Sequence, residues 1–177
     1  MREFDRPYEA KKIMKAKITN KKHATSGVME YEMSEHLARI DASCYVLDCL
    51  HNMHMSNNAR ACAGRNMDEN YEPFIRNLRT KRPGVSIVMA EQCDVYCGGP
   101  CAKDVYLRSV YEKLVSEGWK NLVYLSKDKM YANDLEGTVD GVHPNDYGMT
   151  SLARAYGAAV AEAIGLKTGN GERRGGK

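Results

Sequence analysis

Three short apolar runs, at residues 44–50, 85–90 and 121–125, constrain this chain more than anything else in it. Each is nearly unbroken and too short for a self-burying helix, the pattern of strands covered on both faces. Helical patterns stand between and around them. Met29, Met33, Leu37 and Ile40 recur at spacings of four, four and three, with Glu30, Glu32, Glu35 and Arg39 between them, which predicts an amphipathic helix. Phe74, Ile75 and Leu78 mark a second helix over about 70–81, ended by Arg82, Pro83 and Gly84. Val105, Val110, Leu114 and Val115 mark a third, closed by Gly118, and an alanine-rich pattern over 147–164 marks a fourth. The alternation predicts a mainly parallel sheet with helices on both faces, a three-layer α/β/α sandwich. Such a sheet places its site beyond the carboxyl ends of its strands. Asn52, Glu91 and the long loop after residue 125 all follow strand ends, so they converge on one edge.

A chain of 177 residues suits one domain with one core. No apolar run approaches the roughly 20 residues needed to span a membrane. The N-terminal residues include Lys and Arg but no apolar stretch of the secretory type. A cytoplasmic chain is the default expectation, and a secreted one follows if a leader precedes Met1. The formal charge of +3 is concentrated at the ends. Residues 1–24 hold eight Lys and Arg against three acids, and 167–177 hold four against one. That leaves 14 basic and 19 acidic residues in 25–166, a net of −5. A nucleic-acid face would place its basic residues on folded structure, so no nucleic-acid partner is expected.

Six cysteines fall at 44, 49, 62, 93, 97 and 101. Cys44 and Cys49 lie in an apolar run and read as small buried hydrophobes. Cys93, Cys97 and Cys101 form C-x3-C-x3-C around a Gly-Gly-Pro turn. No histidine lies close, and the spacing matches no common zinc pattern, so loop cysteines or one disulfide are expected rather than a metal.

Residues 136–149 read EGTVDGVHPNDYGM. Gly141 and Pro144 keep a helix from forming through Asp140 and His143, which therefore sit on a loop leading into the last helix. A carboxylate that accepts from one imidazole nitrogen leaves the other free to take a proton, the base half of a hydrolytic triad. The bland alternative is a helix-capping Asp beside a solvated His. Asn52 either donates its amide to a developing oxyanion or is a turn residue. Asp48, within an apolar run, needs a partner if buried; structural and catalytic roles both stay open for it. Met53, Met55, Tyr96, Tyr131 and Tyr147 either line a substrate pocket or simply pack.

DGVHPNDYG resembles the last conserved block of the SGNH (GDSL-type) serine esterases and acylhydrolases. SGVMEYEMSEHLARIDAS, at 26–43, resembles their second block and the helix after it, and YVLDCLHNM, at 45–53, resembles their third. The likeness covers roughly 25–166. It implies that His143 is the general base, Asp140 its partner, and that the Asn52 amide and the Gly27 backbone N–H are the oxyanion donors. The usual G-x-N-D of the third block reads Leu50-His51-Asn52-Met53, so only the Asn is kept. No G-D-S or G-T-S occurs in the sequence, so the nucleophile is unknown. Ser26 is the nearest candidate, but its place beside the oxyanion donors argues against activation by His143.

The resemblance further implies cofactor-free hydrolysis of an acyl ester of a small molecule, glycan or lipid. It implies a first strand, ending in the nucleophile, that pairs with the strand at 44. Residues 1–24 are too polar to supply that strand together with the helix and second strand that should follow it. The segment at 9–18 reads as a basic helix, or as an edge strand over 13–18. The expectation is a hydrolase scaffold without its first strand, truncated and weakly active or inactive. The alternative is an inactive scaffold serving as a binding module. Either leaves an apolar sheet edge open to pairing with another chain. The tail from 167 has no core-forming residues and reads as disordered.

Overall fold

The computed structural model describes residues 27–59, 64–93, 101–130 and 135–166. The expected element within 9–18, Ser26, Cys62, Tyr96, Cys97, Tyr131 and the tail from 167 lie outside the described residues. The order is α1 (Tyr31–Leu37), β1 (Cys44–Leu47), α2 (Met67–Lys81), β2 (Ser86–Ala90), α3 (Ala102–Ser116), β3 (Leu122–Leu125) and α4 (Asp146–Ala163). The strands form one parallel sheet in the order β1-β2-β3. The fold is α/β, as the alternation predicts.

Register explains how the layers fill. Tyr45, Ile87 and Leu122 pair across the sheet, as do Leu47, Met89 and Tyr124. These side chains share a face, because side chains alternate along a strand. They pack with Tyr71, Phe74, Ile75 and Leu78 of α2 and with Leu107, Val110 and Leu114 of α3. On the other face Val88, Ala90, Val123 and Leu125 meet Ala155 and Ala159 of α4. Small residues on α4 let the helix lie close to the sheet.

The helix marked by Val105, Val110, Leu114 and Val115 is α3; it faces inward through Leu107, Val110 and Leu114, spaced three and four apart, with Val105 and Val115 exposed. Two expectations need correction. The helix expected from Met29 to Ile40 is only Tyr31–Leu37, since Met29 takes a left-handed φ of 59° that no helix continues through. The apolar run at 44–50 is not one strand buried on both faces. Its strand stops at Leu47, a 3-10 turn follows over Leu50–Asn52, and Val46 is 38% exposed. The reason is coverage: α4 packs chiefly over β2 and β3, leaving that side of β1 thinly covered among the described residues. Asp48 is exposed as well, so its charge needs no buried partner.

Candidate active site

The Asp140–His143 loop is built by backbone bonds before any side chain is considered. Thr138 and Pro144 form an antiparallel bridge, Val139 N–H donates to His143 O (2.9 Å), and Asn145 N–H donates to Gly137 O (3.1 Å). Gly141 makes the reversal at φ 87°, and its N–H donates to Thr138 Oγ1 (2.8 Å). Asn145, not Asp140, caps α4, with its Oδ1 accepting from Gly148 N–H at 3.0 Å.

Asp140 is thereby free for another use. Its Oδ1 accepts from the N–H groups of Val142 (3.0 Å) and His143 (2.8 Å), and its Oδ2 lies 2.6 Å from His143 Nδ1. The backbone N–H of His143, the imidazole and the N–H of Val142 hold the Asp140 carboxyl down at about 2. A carboxylate bonded at Nδ1 presents Nε2 outward, the orientation a general base needs. The His143 side chain is 74% exposed and that of Asp140 50%, so the pair stands open to solvent among the described residues.

Asn52 ends the 3-10 turn that follows β1, and Gly27 lies directly against it. A Cβ built on Gly27 would stand 3.1 Å from Asn52 Nδ2, so glycine is what lets the backbone come this close. The turn is tied at two further points. His51 Nε2 bonds Cys93 O (2.9 Å), and Lys103 Nζ donates to Leu50 O (2.6 Å) and Met53 O (3.3 Å).

The two pairs share one edge of the sheet. Ser86 Oγ, at the start of β2, donates to Ala163 O at the end of α4 (2.5 Å), so the helix runs against the strands. Its 18 residues span about 27 Å, longer than strands of four or five residues at about 3.3 Å each. The beginning of α4, with His143 just before it, therefore overhangs the carboxyl ends of the strands. Asn52 follows the carboxyl end of β1. The structure brings Gly27 to Asn52 and Asp140 to His143, and sets both pairs at that edge.

Past the carboxyl ends of β2 and β3 lies a buried network, of which the sequence pattern points only to Glu91. Glu91, 5% exposed, accepts from Tyr124 O–H (2.5 Å), Lys127 N–H (2.8 Å) and Ser126 O–H (3.2 Å). Beside it Asp104 pairs with Lys127 Nζ at 2.9 Å. A cavity of about 270 Å³ lies elsewhere, between β3 and α4, lined by Val123, Leu125, Lys129, Arg154, Ala155 and Ala159. It includes none of the expected site residues.

The sequence matches the GDSL-like lipase/acylhydrolase family over residues 10–161. The chain belongs to that family. Among solved structures it is similar to one described as a GDSL-like lipase from Bacteroides ovatus ATCC 8483, with 26% identity and a TM-score of 0.59. That match covers 81% of this chain and 42% of the other. It is also similar to the salicylyl-acyltransferase SsfX3 from a tetracycline biosynthetic pathway (TM-score 0.61, 80% of this chain and 43% of the other). At 17% identity that second likeness speaks for the fold alone. The chain spans about two-fifths of the length of each of these structures. No curated protein gives a significant match.

For this GDSL-like chain the Asp140–His143 contact makes a direct prediction. The Asp140 carboxyl should titrate near pH 2 when followed by carbon-13 NMR. In His143→Ala the midpoint should rise only part of the way to 3.8, because the backbone N–H groups at 142 and 143 remain. The sign is that of a depressed carboxylate: its contribution to stability is present above 3.8 and is lost as pH falls through about 2. An unchanged midpoint in the variant would remove the imidazole from the pair.

Proposed function

We propose that this chain carries the acid–base and oxyanion half of a Ser-His-Asp ester-hydrolysis site. The observation that supports it best is His143 Nδ1 at 2.6 Å from Asp140 Oδ2, on a loop at the same sheet edge as Asn52 and Gly27. In this reading His143 Nε2 takes the proton of the attacking hydroxyl, and Asp140 keeps the proton on Nδ1 and stabilises the imidazolium. The Asn52 amide and the Gly27 N–H donate to the oxygen that becomes negative as the acyl carbon turns tetrahedral. His143 then returns the proton to the departing alcohol, and a second cycle with water releases the acid. No metal or organic cofactor enters these steps. The substrate class is an acyl ester of a small molecule, glycan or lipid.

The nucleophile is the part without a residue. No serine stands in a G-D-S or G-T-S setting, and Ser26, beside Gly27, lies outside the described residues. Loss of the nucleophile alone costs about 10⁶-fold in one measured triad. Purified 1–177 is therefore expected to hydrolyse p-nitrophenyl acetate no faster than its His143→Ala variant. A clear His143-dependent rate would show that a serine of this chain, Ser26 first, acts as nucleophile.

The oxyanion half is tested without turnover. Methylphosphonate, an anionic tetrahedral mimic, should shift the Asn52 side-chain amide and His143 ring signals together and saturably. If neither moves, the ester reading falls and the alternative stands: the hydrolase scaffold kept as a binding module. Its support is the solvent exposure of the His143–Asp140 pair.

A further inference from the structure

The Asn52 turn is gripped by a lysine from another element, and neither the sequence pattern nor the family assignment gives that lysine a role. Lys103 is half-buried at the second position of α3. A cation there sits against the positive end of the helix dipole, where carboxylates are favoured. Its ammonium instead turns away, to the carbonyls of Leu50 (2.6 Å) and Met53 (3.3 Å), one on either side of Asn52. Leu50 O also accepts the Met53 N–H that closes the 3-10 turn (3.2 Å). One charged group thus fixes the turn at both ends, and the turn includes Asn52, whose amide faces Gly27.

We infer that Lys103 is the positioning residue of the oxyanion arm: it holds the Leu50–Met53 turn so that the Asn52 amide is fixed beside the Gly27 backbone. Lys103 acts through Asn52 and touches no reacting atom. The physical argument is that a charge-assisted bond is about twice as strong as a neutral one. A donor left to an exposed 3-10 turn would give no such preorganisation, and misplacement of a donor by about 1 Å can cost roughly 10²-fold in rate. The inference rests on the reading of Asn52 as an oxyanion donor.

The test uses the full chain. Limited acetylation with sulfo-N-hydroxysuccinimide acetate, read by peptide mass spectrometry, should modify Lys103 roughly tenfold or more slowly than exposed Lys129, since its amine must first leave two carbonyls. In Lys103→Met the Asn52 side-chain amide signals should shift and broaden while the Trp119 indole signal stays in place. Lys103→Arg should restore them. Acetylation of Lys103 as fast as Lys129 overturns the inference, and needs no variant that must fold. Unmoved Asn52 signals in a folded Lys103→Met protein overturn it equally. If Asn52 answers to Lys103 but not to methylphosphonate, the positioning role stands and the oxyanion role falls.

Discussion

Replacing Asp104 with alanine should destabilise the protein by about 3–5 kcal/mol, the usual cost of removing one partner of a buried ion pair. Asp104 is 1% exposed and Lys127, its partner at 2.9 Å, has only 15% of its side chain exposed. The carboxylate also accepts the N–H groups of Cys101 (3.1 Å) and Gln92 (3.3 Å). It therefore ties the start of α3, the exit of β2 and the exit of β3 into one knot. Burial by itself pushes the Asp104 carboxyl up. The Lys127 ammonium and the Cys101 N–H outweigh it and hold the group below its ordinary value. The stabilisation is accordingly full above the unfolded value of 3.8 and disappears as pH falls through the lowered folded value. Thermal unfolding at neutral pH should show a midpoint lower by about 6–20 °C, at roughly 2–4 °C per kcal/mol for a chain of this size. The gap to wild type should narrow below pH 4. A loss under about 1 kcal/mol would mean that the pair behaves as a solvated surface contact.

Leu50→Ala should cost about 2.7–5 kcal/mol, the range for a leucine removed from a packed core. Leu50 is fully buried, and it begins the turn that presents Asn52. The cavity would open directly under that turn, so the loss should be accompanied by movement of the Asn52 amide signals. Urea unfolding should give a lower midpoint with an unchanged slope. A cost below about 1 kcal/mol would show that the site collapses freely and that the turn is held from above, by Lys103 and His51, rather than from below.

What the sequence made legible follows from how local each cause is. The run at 85–90 is correct nearly to the residue, because a central parallel strand is covered on both faces and needs no polar position. The loop at 140–143 is legible because glycine and proline speak for themselves at short range, and the Asp–His contact spans three residues. Coverage is what a local pattern cannot report. Val46 looks as buried as Val88, yet α4 covers only the second. Val105 and Leu107 are equally apolar on the page, and only the position of the sheet decides which turns inward. Lys103 is not legible in the sequence, because its partners are about 50 residues away. The one available hint was a cation in the first turn of a helix, where a carboxylate is the rule.

The strand order carries a consequence for how the chain is made. The middle strand of the described sheet is the second in sequence, so the Tyr45 and Leu47 stretch has no described neighbour until residues 86–90 have left the ribosome. At synthesis rates of about 5–20 residues per second that is an interval of roughly 2–8 seconds. For that time a nascent chain carries a sticky, apolar segment whose partner among the described strands has not yet been made, and it is then that a chaperone would have most to do.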